Sequence, residues 1–253
     1  MSKTFYVLTI NPGSTSTKAS AYKDDVEVWR ANVVHDPAEL DKYDDIFQQG
    51  PYRRDAVFSA MQEAGLDPQN LDAVVAVGGA EDFQEVAHVG GFKETPRRCQ
   101  VHMLNTKEVA LRHAASQGKR YEDMNLVIAN IGAGITIAAH RKGKVVDGTN
   151  GVDQEGPMSS NRPGTVRLAS FMRLIAGKTP AEQKKLVSSQ GGLVSHLGTA
   201  DVLAVKDMIA AGDEYAKLVY DALLYQCGGW IGHMAAVLKG DIDGIILTGN
   251  LMK

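Results

Sequence analysis

The run Asn11-Pro12-Gly13-Ser14-Thr15-Ser16-Thr17-Lys18 gathers a side-chain amide, bare backbone N–H groups, several hydroxyls and one ammonium into a single turn. All of these are donors, and a phosphoryl group presents acceptor oxygens. A Ser/Thr-rich hairpin turn without a ligand is the competing reading, and Lys18 favours the phosphate. Asn130-Ile131-Gly132-Ala133-Gly134 supplies a second glycine-bearing turn for the same anion. His102, near a helix start, is a candidate donor to a transferring phosphoryl oxygen, or else an ordinary partly buried histidine. Arg162, in the polar stretch after Glu155, can grip a carboxylate or phosphate through two parallel bonds, or stand exposed without a special contact. Phosphoryl transfer asks the protein for positioning and charge stabilisation more than covalent chemistry, which suits this set of groups.

The elements that must hold these residues are written twice. Tyr6 to Val28 and Asn125 to Asp147 align without a gap at a spacing of 119 positions, with Asn11 on Asn130, Gly13 on Gly132, Thr17 on Thr136, Ala19 on Ala138, Lys23 on Lys142 and Val26 on Val145. Each copy reads as a buried strand, an Asn-x-Gly turn, a second strand and a polar hairpin into a third. A duplicated strand-turn-strand suits a phosphate held between two facing halves, because glycine lets backbone amides approach an anion closely. Two unrelated hairpins of similar appearance are the alternative.

A chain of 253 residues with 44% hydrophobic content can bury a core as one large domain or two lobes, and the repeat favours two. The net charge of -3, with both signs scattered, leaves no basic stripe for nucleic acid. Cys99 and Cys227 have no paired spacing for zinc and read as reduced structural thiols. With no signal-like start and no apolar run of membrane-spanning length, a soluble cytoplasmic protein is expected.

Between and after the two β units, helices are expected over Asp36–Gln48, Tyr52–Ala64 and Asn105–Ser116. A strand is expected over Leu71–Val77, and an irregular stretch, a hinge or surface excursion, over Ala80–Gln100. Gly148–Gly164 reads as a long functional loop. Thr179-Pro180-Ala181-Glu182 is a capping box opening a helix to about Ser188. Further helices are expected over Ala200–Ala211 and Glu214–Leu238, the last interrupted at Gly228-Gly229 and packed closely through its small residues. Ile242–Thr248 closes the pattern as a strand with Gly249 at its end, a common ligand position.

Together TINPGSTSTK, VHMLN, IANIGAGITIAAHRKG, DQEGPMSSNRPG, KKLVSSQGGLVSHLGTAD and AAVLKGDIDGIILTG resemble the acetate and butyrate kinase family, nearer to its butyrate kinase branch, in the family's order and across most of the chain. The resemblance implies an α/β, actin-like (ribonuclease H-like) duplicated fold in two lobes, an N-terminal lobe over 1–100 and a nucleotide-binding C-terminal lobe over 101–253. It implies ATP and Mg²⁺ as cofactors and reversible phosphorylation of a short-chain carboxylate, butyrate, to an acyl phosphate, by a chain that forms a homodimer. By position it gives Asn11, Gly13, Ser14, Ser16 and Lys18 to the first phosphate motif and Asn130, Gly132, Ala133 and Gly134 to the second. Gly249 opens the adenosine motif, and His102 and Arg162 become the catalytic pair. The chain departs from the family at Val77-Gly78-Gly79 (Arg-Gly-Gly there), which an apparent internal deletion follows. Further departures are Asn130 (a histidine there), Ala133 and Asn250 (glycines there), and a missing C-terminal part. The alternative implied by these departures is a catalytically impaired relative that binds nucleotide or a partner without turnover.

Overall fold

The computed structural model describes residues 4–12, 16–40, 42–43, 48–76, 83–97, 101–150 and 155–249. The chain divides into two compact units, Met1–Val77 and Gly78–Lys253. In the first, strands β1 (Tyr6–Pro12), β2 (Ser16–Lys23), β3 (Val26–Val34) and β4 (Ala73–Ala76) form a sheet in the order β3-β2-β1-β4. β4 runs parallel to β1, and the other pairs are antiparallel. Helix α1 (Pro37–Leu40) is a single turn started by the Asp36 carboxylate, which accepts from the Ala38 N–H at 2.9 Å. Helix α2 (Gly50–Glu63) lays Val57 and Met61, one turn apart, onto Leu8, Ala19 and Ala21 of the sheet.

The helix expected over Asp36–Gln48 is therefore present only as α1 among the described residues. The rest of that span lies largely outside the described residues, and the Gln49 side-chain amide donates to the Leu40 carbonyl at 3.3 Å. β1 is also less buried than its hydrophobicity suggests, with only Leu8 fully covered.

The second unit repeats the sheet. Helix α3 (Met103–Ser116) precedes β5 (Asn125–Ile131), β6 (Ile135–Arg141) and β7 (Lys144–Gly148). Five helices follow, α4 (Leu168–Ile175), α5 (Pro180–Ser188), α6 (Gly192–Leu197), α7 (Val202–Ala210) and α8 (Glu214–Val237), before β8 (Gly244–Thr248). The order is β7-β6-β5-β8, with β8 parallel to β5, so the two units share one sheet topology. Every residue of β5 is buried because both its faces are covered. Val127, Ala129 and Ile131 join the cluster that includes Val219, Leu223, Cys227 and Met234 of α8. Leu126 and Ile128, on the alternate face, join Ala110 and Ala114 of α3.

Gly228 and Gly229 do not interrupt α8. Nor do the glycines mediate close packing, since a Cβ at Gly228, Gly229 or Gly232 would meet nothing within 4 Å; the helix packs through its larger apolar side chains and Ala235 instead. The irregular stretch before α3 is not a free excursion. Phe83 and Ala87 are buried with Val101, Met103, Ala138 and Val145, so residues 83–97 belong with the second unit rather than with the lobe expected to end at residue 100.

Candidate active site at the carboxyl end of the second sheet

β5 and β8 run in parallel, so their carboxyl ends lie side by side, where ligands of open α/β sheets bind. Ile131 pairs with Ile135, leaving Gly132, Ala133 and Gly134 as the turn between β5 and β6. Gly249 follows β8 with φ at 110°, and a Cβ there would come 2.3 Å from the Ile131 carbonyl oxygen. Only glycine fits so close to the end of β5. Asn130, on β5, lies directly across from Thr136 of β6.

Three of the sequence-derived site residues meet at this turn. A Cβ on Gly134 would lie 3.2 Å from Arg162 Nη1 and 3.6 Å from His102 Cε1, so the guanidinium and the imidazole both border the glycine. His102 immediately precedes α3, and its Nδ1 lies 2.8 Å from the hydroxyl of the fully buried Thr136. The His102 backbone N–H also donates to that hydroxyl, at 3.3 Å. Partial burial, and then the positive charge of Arg162, lower its pKa below the ordinary histidine value of 6.5. The imidazole is neutral at neutral pH.

Arg162 is carried by a loop whose backbone is locked on both sides. Ser159 N–H donates to the Arg162 carbonyl at 3.0 Å, Leu193 N–H to the Ser159 carbonyl at 3.1 Å and Gly191 N–H to the Asn161 carbonyl at 3.1 Å. Gly192, with φ at 58°, leaves no room for a side chain, since a Cβ would lie 1.8 Å from the Ser159 carbonyl oxygen. The Ser160 hydroxyl donates to the Ala133 carbonyl at 3.2 Å, tying this loop to the turn itself. Upstream, Arg97 pairs with Asp147 of β7 and with Glu155, fixing where the loop begins.

In the first unit, Asn11 pairs across with Lys18 at the end of β1, and Ser16 opens β2; Gly13 and Ser14 lie outside the described residues. The residues that sequence reasoning passed over are Thr136, Ser160 and Gly192. Thr136 had a visible signal, its identity with Thr17 in the repeat. Ser160 and Gly192 had none beyond their place in polar, glycine-bearing runs.

His102, Arg162, Asn130 and the glycine turn offer donors, which fits phosphate oxygens, while the nearby carboxylates Asp147 and Glu155 are engaged by Arg97. Among the described residues no group of three or more His, Cys, Asp or Glu could hold a metal ion.

Residues 92–252 match the model of the Acetokinase family. Over 98% of the chain it is 32% identical to butyrate kinase 1 of Clostridium acetobutylicum and 34% identical to the probable butyrate kinase 2 of Caldanaerobacter subterraneus, covering 86% of each. Both alignments run over 304 positions, more than the 253 residues here, so the relatives carry residues within the matched span that this chain lacks. The fold is similar to that of acetate kinase from Porphyromonas gingivalis, with a TM-score of 0.71 at 19% identity over 98% of this chain and 83% of that one. It is equally similar to acetate kinase from Entamoeba histolytica, with a TM-score of 0.72 at 12% identity over 97% and 82%. The chain belongs to the acetokinase family and has its actin-like α/β fold. Among the described residues no helix is long and apolar enough to cross a membrane.

Proposed function

We propose that this chain is an ATP-dependent kinase that converts a short-chain carboxylate, butyrate, to its acyl phosphate, reversibly. The observation that carries the reading is the meeting of His102 and Arg162 over Gly134, at the paired ends of β5 and β8, in a chain at least 32% identical to two proteins named as butyrate kinases. A cytoplasmic location and a homodimeric state belong to the same proposal and rest on family membership.

In the reaction a carboxylate oxygen attacks the γ-phosphorus in line. The new C–O–P bond forms as the bond to the β,γ-bridging oxygen breaks, and ADP leaves with that electron pair. The acid is already ionised near neutral pH, so no general base is required. The Thr136 hydroxyl lies 2.8 Å from His102 Nδ1, and in the tautomer in which the hydroxyl donates, the imidazole proton sits on Nε2 and is available to an equatorial oxygen of the transferring group. Arg162 orients the acid or the phosphoryl group through its planar fork. The turn 132–134, with Asn130, lends donors to the phosphates, and Gly249, packed against the end of β5, opens the segment proposed to hold the adenosine. Asn11, Gly13, Ser14, Ser16 and Lys18 are proposed as further phosphate donors. Bound Mg²⁺ neutralises charge on the phosphate oxygens.

The test is ATP-dependent formation of butyryl hydroxamate in the presence of hydroxylamine. Turnover by the wild type, lost in His102→Ala and Arg162→Met, supports the reading. Nucleotide binding without turnover favours the second reading, an impaired relative, for which the residues missing from the matched span are the motivating observation.

A further inference from the structure

We infer that Arg53, on α2, is a positioning residue for the start of β2, fixing the chain at Ser16 and Thr17 and keeping a positive charge beside them. The inference rests on the proposed kinase reading for its purpose, but its geometry stands apart from it.

Arg53 is 5% exposed, deep for a guanidinium on a surface helix. Its Nη1 donates to the Thr17 hydroxyl at 2.9 Å and lies 3.4 Å from the Ser16 carbonyl oxygen. Its Nε donates to Gln49 Oε1 at 2.9 Å. Thr17, fully buried, holds His35 Nε2 at 2.7 Å on its other side, and the His35 ring packs against Tyr52 with centroids 5.3 Å apart. Residues from β2, the end of β3, the start of α2 and its second turn thus converge where the chain enters β2.

All these partners are neutral. Among the described residues Arg53 has no carboxylate partner, and its Nη2 has no hydrogen-bond partner. A guanidinium held by these neutral partners keeps its full positive charge beside the entry to β2, where desolvation makes that charge felt more strongly. The arrangement makes sense where negative charge arrives. Ser16 is one of the proposed phosphate donors, and a fixed cation that holds its carbonyl both orders the entry to β2 and favours an anion there.

The test uses Arg53→Gln, which keeps donors and removes charge, and Arg53→Lys, which keeps charge and loses the fork. Readouts are the KM for ATP and for butyrate, amide exchange over residues 16–19, and thermal unfolding. The expected result is a KM for ATP raised about tenfold in Arg53→Gln, the scale of one charged hydrogen bond, with the KM for butyrate unchanged. Exchange should rise over residues 16–19 in both variants and stay unchanged over residues 125–141, and Arg53→Lys should recover part of the ATP affinity. The inference is overturned if Arg53→Gln leaves the KM for ATP and exchange over residues 16–19 as in the wild type. It is equally overturned if exchange rises evenly across the first unit while both KM values move together, the mark of a merely structural role. Should the wild type turn over no ATP, the kinase reading fails by itself, and exchange over residues 16–19 still decides whether Arg53 fixes that segment.

Discussion

Thr17 and Thr136, which occupy the same position in the two copies of the repeat, each grip a histidine: Thr17 meets His35 Nε2 at 2.7 Å and Thr136 meets His102 Nδ1 at 2.8 Å. Each is the second residue of the middle antiparallel strand of its sheet, and each is completely buried. The strand registers differ by one residue, since Thr17 faces Pro12 whereas Thr136 faces Asn130. The pairing of a strand-start threonine with an imidazole therefore survives a one-residue shift in register, and an arginine attends both: Arg53 in the first unit and Arg162 in the second.

The Thr136–His102 bond predicts a kinetic signature. Thr136→Val removes the partner that sets the imidazole tautomer, and kcat should fall about tenfold with KM values little changed. Thr136→Ser retains the hydroxyl and should keep most of the activity. Steady-state kinetics on both variants checks this, and equal losses in the two would contradict a tautomer-setting role.

Gly134→Ala places a methyl group 3.2 Å from Arg162 Nη1 and 3.6 Å from His102 Cε1. The flexible guanidinium must give way by a few tenths of an ångström. Activity should drop several-fold while the melting midpoint stays within about 3 °C of wild type, because no backbone clash arises. A parallel fall in stability and activity would show that the glycine serves folding instead.

Gly249→Ala is the opposite case. The added Cβ meets the Ile131 backbone at 2.3 Å in a conformation with φ at 110°, so neither neighbour nor backbone can relax cheaply. Urea denaturation should register a loss of roughly 2–4 kcal/mol.

Stability should also depend on pH through His35. Burial first, and then the charge of Arg53, lower its pKa below 6.5. The native state keeps the ring neutral while the unfolded chain takes up a proton near its ordinary value, so unfolding gains ground as pH falls below about 6.5, until the native value is passed. Above that pH the group contributes no slope. The carboxylates with lowered values, Glu27, Glu182 and Asp243, act only at more acidic pH. Denaturant midpoints between about pH 5.5 and 6.5 should fall with acidification in the wild type and fall less in His35→Gln. Identical slopes would contradict the assignment.

The three antiparallel strands of each sheet were legible in the repeat, because Tyr6–Val28 and Asn125–Asp147 align without a gap, whereas the parallel places of β4 and β8 carry no local signal. The α5 start was equally readable, since a capping box is a local signal; Thr179 and Glu182 exchange both bonds, at 3.4 and 2.8 Å. The glycine pair in α8 misled because a glycine in a helix costs only about 1 kcal/mol, which burial of Val219, Leu223, Cys227 and Met234 outweighs. The Arg53 cluster was invisible in one dimension. Gln49 and Arg53, four positions apart beside other polar residues, look like a solvated helix face, and only packing onto Thr17 and His35 turns them inward. At the candidate site the motif residues were legible, whereas the loop contacts that carry Arg162 depend on tertiary approach.

Phosphorus-31 NMR of the wild type with ATP, Mg²⁺ and butyrate tests the kinase assignment most directly. A new acyl phosphate resonance appearing in step with ADP, and absent when butyrate is omitted, is the predicted spectrum. ATP signals that broaden on binding yet yield no acyl phosphate over many hours would contradict the assignment.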